Sequence, residues 1–425
     1  LAALAYLFSV EAFGSRAGAL AAALLAVCQP RAFFHAQTAG FDLPVAALWL
    51  ATTYAWWRAL ASPRRRPGVG VGLLWGLMLA TKLQSFFLPL ALGAHWLWLT
   101  LRARRAGRAA PPVWPLVWMA LLGPLVFLAL WPWLWHDTVA RFTAYVAFHL
   151  HHVNYNFEYF GENYNNPPFP WHEPLGMLVT TAPVVLLALA AAGAVVLIRS
   201  RAARAADARA TSALLLFSGL VPVAPFFRGT TPIFGETKHW LATMGVLALL
   251  AGVAVGGLIC ALTLGFGRRA RAAVAALVVT LAVAPAAVET ERSHPYGLSH
   301  YNALAGGAPG GADLGMNRQF WGYSVLGVLP WLDEHLPQGA KIYLHDWCHD
   351  AYELYLRERR LRADLRDAGM EDPGVRASDA ALVIHEKHFN KYEYMIWAAY
   401  GTTRPAHVLT LDGVPLVTVY TRPPR

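Results

Sequence analysis

Charge is scarce in this chain. Only 14% of its 425 residues are Asp, Glu, Lys or Arg, against roughly a quarter in a soluble domain. With 56% hydrophobic residues and a mean hydropathy of +0.38, that scarcity excludes an ordinary water-soluble globule. Cysteine is nearly absent: Cys28 and Cys260 sit in apolar runs and Cys348 stands alone near the C-terminus, which excludes a disulfide framework or a CxxC metal knuckle. HExxH, GxGxxG and the Walker A loop are missing too, so no zincin, dinucleotide or P-loop chemistry is signalled. No internal repeat is visible. The chain opens at Leu1 in mid-hydrophobic sequence without Met or a signal peptide, and we read it as lacking its natural start.

Long apolar runs are what the chain has instead. Segments near 18 residues or more can each cross the roughly 30 Å hydrocarbon core. The pattern predicts membrane segments over residues 1–12, 17–29, 43–60, 68–80, 83–101, 113–130, 175–198, 211–227, 240–264 and 272–288. Arginines gather between alternate segments: Arg58 with Arg64, Arg65 and Arg66; Arg102, Arg104, Arg105 and Arg108; Arg199, Arg201, Arg204 and Arg209; Arg268, Arg269 and Arg271. Basic loops at every second turn are the positive-inside signature. The net charge of +10 therefore reports topology and contact with membrane lipids, not a nucleic-acid partner. The same count leaves residues 131–173 and everything after 289 on the outer face.

The outer loop changes character abruptly. WPWLWHDTVARFTAYVAFHLHHVNYNFEYFGENYNNPPFPW is dense in aromatics, histidines and asparagines, a mixture suited to the membrane–water boundary. We expect His149, His152, Glu162 and Tyr164 to line a polar cavity there. The HxHH run is also a zinc candidate if Glu158, Glu162, His172 or Glu173 complete the set, yet on a helix His149 and His152 share a face and His151 points away.

Three further places carry candidate chemistry. Asp42 opens a helix; it is either a cap for orphan N–H groups or a carboxylate that binds a metal or takes a proton from an acceptor hydroxyl. Lys82 interrupts LMLATKLQSFFLPL, and either snorkels to the headgroups or faces a lipid-linked phosphate. In RGTTPIFGETKH, Glu236 and Lys238 form a simple pair, or Arg228, Lys238 and His239 clamp an anion. HPYGLSHYNALAGGAPGGADLG reads as a connector.

The fold class expected is an α-helical polytopic membrane protein, residues 1–288, with an external connector and small α/β domain over 289–425. Residues 340–346 and 379–386 read as strands, 349–361 and 391–400 as helices, and AHVLTLDGVPLVTVY as a hairpin turning at Asp412-Gly413.

At GFDLPVAALWLA, the ATK corner, FGENYNNPPFPWHEPLGMLVTTAP, FGETKHWLATMGVLALLAG, HPYGLSHYNALAGG and FWGYSVLGVLPWL the chain resembles the GT-C membrane glycosyltransferases of family 39, the protein-O-mannosyltransferase and aminoarabinose-transferase type. The resemblance implies transfer of a sugar, usually with inversion, from a polyprenyl-phosphate donor to a hydroxyl acceptor on a protein, lipid or glycan. It implies the outer face of a bacterial cytoplasmic membrane, with the C-terminal domain periplasmic. Asp42 would be the family's second acidic position, and Lys82, Lys238 and His239 would contact the donor phosphate, with Arg228 beside them. The family's first-loop catalytic acid would precede Leu1, and Lys238 stands where Arg is usual. A divalent metal is compatible with such a site. Two other classes compete: a transporter or flippase for a lipid-linked or anionic solute, and a non-catalytic homologue. Polar residues gathered at one face, without inverted repeats, favour the enzyme over the transporter.

Overall fold

A computed structural model describes residues 1–62, 64–199, 206–345 and 349–423. The expected cluster residues Arg201 and Arg204, the end of the expected strand at Asp346, and Cys348 lie outside the described residues. By contacts the chain forms two units, Leu1–Asn154 with Pro167–Gly297, and Tyr155–Asn166 with Leu298–Arg425.

The first unit is helical: α1 (Ala2–Phe13), α2 (Arg16–Val27), α3 (Pro30–Gln37), α4 (Asp42–Leu60), α5 (Arg66–Leu79), α6 (Leu88–Arg105) and α7 (Trp114–Leu130). Then come α8 (Thr138–Leu150), α9 (Glu173–Thr181), α10 (Val184–Arg199), α11 (Ala206–Leu220), α12 (Leu241–Leu262) and α13 (Arg268–Ser293). Among the described residues three helical stretches are long and apolar enough to span a bilayer: Leu83–Arg105, Glu236–Leu262 and Arg268–Ser293. The number rises to five if each of the bent pairs α2–α3 and α9–α10 is one span, and α1, α5, α7 and most of α11 are shorter apolar helices.

The structure differs from the sequence expectations at three places. Between the expected segments 17–29 and 43–60 the chain forms a further helix, because Pro30 opens α3 at the first helical position, where its missing N–H costs nothing. The expected segment 175–198 is not one helix. Pro183 forces Ala182 into an extended conformation (ψ 142°), and the two halves meet at 112°. Helix α13 also carries on past the expected end at 288 to Ser293.

Helix α12 is the axis of this unit and packs against α2, α4, α10 and α13. Small residues allow the close approach: a Cβ on Gly193 would lie 1.9 Å from the Leu250 carbonyl oxygen, and one on Gly252 would lie 2.6 Å from that of Gly18. Such contacts let backbones meet where lipid gives no hydrophobic drive between helices. Polar side chains tie the bundle as well. Trp49 donates its indole N–H to Ser218 Oγ at 2.9 Å, and Trp56 donates to His95 Nδ1 at 3.1 Å.

The second unit holds the hairpin β1 (Phe157–Tyr159) and β2 (Glu162–Tyr164), then α14 (Gly307–Asp313), α15 (Leu329–His335), β3 (Lys341–Leu344), α16 (His349–Arg357) and β4 (Arg366–Asp367). It ends with α17 (Glu371–Ala377), β5 (Ala380–Ile384), α18 (Asn390–Tyr400), β6 (His407–Leu411) and β7 (Val414–Thr421). The sheet order is β4-β3-β5-β7-β6, parallel for β4-β3-β5 and antiparallel beyond. Alternate strand residues feed two cores: Ile342, Leu344 and Leu382 pack with Tyr352 of α16, and Tyr343, Ala381 and Val383 pack with Val375 of α17 and Ile396 of α18. Asp412 and Gly413 both have positive φ (47° and 81°), the backbone a two-residue hairpin turn requires. This is the expected α/β domain, with part of the large loop built into it. Main-chain bonds from Gly161 N–H to Gly315 and the Glu158 carboxylate on Lys387 N–H (2.5 Å) fasten the hairpin in place.

Candidate active site

The helical unit brings several of its charged side chains together at one corner. Helices α4 and α5 pack as neighbours, so the start of one meets the end of the other. Asp42, first residue of α4, thereby reaches Lys82 in the turn after α5. Lys82 Nζ donates to Asp42 Oδ1, and the two side chains are only 13% and 12% exposed. His35 Nδ1 lies 3.6 Å from the other carboxylate oxygen.

This arrangement removes the cap reading of Asp42. Phe41, not Asp42, is the N-cap of α4, and no side chain caps that helix. The carboxylate is engaged by a buried ammonium instead. The Lys82 ammonium is turned toward Asp42.

The second cationic contribution comes from the 3₁₀ turn Glu236–Trp240. Lys238 Nζ sits 4.3 Å from the Phe234 ring centroid and within electrostatic reach of both Lys82 and Asp42. His239 is fixed by the Phe234 N–H, which donates to its Nε2 at 3.1 Å, and by Gln84, whose amide nitrogen lies 3.2 Å from Nδ1. A small cleft opens beside them, lined by Val45, Trp49, Gln84, Lys238, His239 and Leu241. Glu236 turns inward to Arg31, at 2.9 Å. Glu236 has a φ of 44° after Gly235 at 72°, a conformation that costs a non-glycine residue about 1–3 kcal/mol and persists only where its surroundings hold it.

Other expected site residues are placed elsewhere. Arg228 ends the turn Ala224–Arg228 with its side chain exposed. His149, on the last turn of α8, lies against Tyr145 and stacks on His152 with ring centroids 6.3 Å apart. Glu162 and Tyr164 both lie on β2, opposite Tyr159 and Phe157 in the hairpin of the other unit, so the four do not form one wall within either unit. Among the described residues no group of three or more His, Cys, Asp or Glu side chains converges enough to hold a metal ion. Sequence reading missed Arg31 and His35. The available signal was their i, i+4 spacing, which puts both on one face of a helix, but α3 itself was not predicted.

Asp42 and Lys82 fall within residues 1–136, the part of the chain that matches the family described as dolichyl-phosphate-mannose-protein mannosyltransferase. No protein with a curated description matches in sequence. Among solved structures the chain is similar to ArnT from Cupriavidus metallidurans, crystallised with undecaprenyl phosphate. That match has 15% identity and a TM-score of 0.49, and covers 98% of this chain and 81% of the other.

Proposed function

We propose that this protein is a membrane glycosyltransferase that moves a sugar from a polyprenyl-phosphate donor to a hydroxyl acceptor on a protein, lipid or glycan. The observation that carries the reading is the match of residues 1–136 to a mannosyltransferase family that uses a lipid-phosphate sugar. The buried Asp42–Lys82 pair within that stretch is a suitable centre for the chemistry. We place the reaction on the outer face of a bacterial cytoplasmic membrane, with the C-terminal α/β unit on that side, because the arginine clusters mark the opposite loops as inside.

In this reading the acceptor oxygen bonds to the sugar C1 while the C1–O bond to the carrier phosphate breaks. The hydroxyl proton passes to Asp42, acting as general base. The electron pair of the broken bond leaves on the phosphate, where Lys82 and Lys238 compensate the developing charge, with His239 alongside. A phosphate entering the corner competes with Asp42 for the Lys82 ammonium, so donor binding frees the carboxylate for the acceptor.

Asp42→Asn tests the assignment, because it keeps shape and removes basicity. Turnover with a polyprenyl-phosphate sugar should fall about 100-fold or more. Wild-type turnover would return Asp42 to a structural role.

A further inference from the structure

Helix α3 reaches both halves of the active-site corner. Arg31 and His35 are spaced i, i+4 and leave the same face of the helix. His35 approaches Asp42 at 3.6 Å, while Arg31 Nη1 bonds Glu236 Oε2 at 2.9 Å and Thr237 Oγ1 at 3.4 Å. The Arg31 and Glu236 side chains are 2% and 0% exposed. Glu236 holds the left-handed backbone that opens the turn carrying Lys238 and His239.

A third group completes the junction. Glu173, first residue of α9, is fully buried, and among the described residues neither of its carboxyl oxygens has a hydrogen-bond partner. It lies within electrostatic reach of both Glu236 and Arg31, and α9 packs directly on the turn. Two buried carboxyls thus lie within electrostatic reach of one guanidinium. An ion pair that served packing alone would not need the second acid beside it, since each buried charge is costly to desolvate.

We infer that Arg31 and Glu236 are positioning residues that hold the Glu236–Trp240 turn so that Lys238 and His239 face the Asp42–Lys82 corner, with Glu173 as the alternate partner of Arg31. The inference rests on the proposed donor-phosphate site but concerns residues that touch no substrate. It makes an asymmetric prediction. Removing Glu236 leaves Arg31 with Glu173 in reach, so the fold stays balanced while the turn is released. Removing Arg31 leaves two buried carboxyls facing each other.

The test uses the whole chain in lipid nanodiscs, with two readouts: labelling of Lys238 by an amine-reactive reagent without ligand, and affinity for undecaprenyl phosphate. Glu236→Gln should raise Lys238 labelling at least threefold and weaken undecaprenyl phosphate at least tenfold, with the thermal midpoint near wild type. Arg31→Met should do both and also lower the midpoint. The double variant Glu236→Gln/Glu173→Gln, which strips Arg31 of both acids, should lower the midpoint by more than the single variants combined. Unchanged Lys238 labelling in Glu236→Gln would overturn the positioning role. Equal losses of midpoint and affinity in every variant would also overturn it, reducing the cluster to packing. Raised labelling with undecaprenyl phosphate affinity unaltered would keep the positioning role and remove the phosphate site instead.

Discussion

The polar corner of the helical unit and the surface of the α/β unit use ion pairs in opposite ways. At the polar corner of the helical unit, the side chains of Asp42 and Lys82 are 12% and 13% exposed, and those of Arg31 and Glu236 nearly zero. In the α/β unit the Arg360–Glu358 pair is 57% and 44% exposed, and Arg376–Asp372 is 71% and 48% exposed. Exposed pairs contribute about 0.2–1 kcal/mol, because water and salt screen them. Buried pairs lose several kcal/mol of solvation per ion, and an apolar replacement of both partners is often neutral or better. Stability alone therefore explains the pairs of the α/β unit better than those of the helical corner. On the function proposed above, the corner keeps its charges out of water to meet the donor phosphate.

The largest effect that would break this comparison is at Asp42. Asp42→Leu leaves the Lys82 ammonium buried without its partner and should destabilise the helical unit by about 3–5 kcal/mol. Adding Lys82→Met should recover most of that loss, since the pair then becomes apolar, yet undecaprenyl phosphate affinity should not return. Unfolding in a detergent titration measures the first part and lipid binding the second. Recovery of binding in the double variant would show that the corner's charges serve the fold.

The parts of this contrast were unequally legible in the sequence. The α/β unit was read well because its signals are local: DAALVIHE contains a strand whatever surrounds it, and Asp412-Gly413 sets a hairpin by backbone preference alone. Apolar runs located the helices of the other unit for the same reason. The corner itself was only half legible. Asp42 and Lys82 stood out as charges in apolar surroundings, but their pairing spans 40 residues and follows from how α4 and α5 pack. Arg31–Glu236 spans 205 residues, and no local pattern announces such a contact. The loop around His149 drew attention by composition, yet α8 buries none of its residues, while its GENY segment became a strand of the other unit. Density of polar residues located the loop; burial, which sequence does not print, located the corner.

A medium effect is expected at Glu158, a buried carboxyl of the α/β unit. Its side chain is covered and accepts from Lys387 N–H at 2.5 Å. Burial pushes its carboxyl above the usual range, and the Lys387 amide and the charges of Lys387 and Arg318 oppose the shift. A carboxyl raised in the folded state favours folding most below its unfolded value, and that contribution is lost as pH rises through the folded value. The wild-type thermal midpoint should therefore decline relative to Glu158→Gln as pH increases from about 4 toward neutrality. Gln keeps an acceptor for the amide but takes no charge, so its profile should be flatter there. Parallel profiles would mean that Glu158 ionises in the folded unit as freely as in the unfolded chain.

The smallest effect sharpens the comparison from the other side. Arg360 and Glu358 approach to 2.7 Å, closer than Arg31 and Glu236 at 2.9 Å, so distance alone ranks the exposed pair as the stronger. Exposure reverses that order. Arg360 follows Arg359, whose φ is 57°, in the turn after α16, where both side chains stand in solvent and can exchange water for each other at little net gain. Arg360→Ala should change stability by no more than about 0.5 kcal/mol, and whatever change appears should vanish in high salt, because charges this exposed are screened within roughly a 3 Å Debye length at 1 M. The same salt should leave the Asp42→Leu loss largely intact, since ions do not enter a corner where both side chains are some seven-eighths covered. Measuring both variants at low and high ionic strength sets the two units against each other directly. A salt-sensitive Asp42→Leu loss, or a salt-resistant Arg360→Ala loss, would mean that burial does not separate the two kinds of pair.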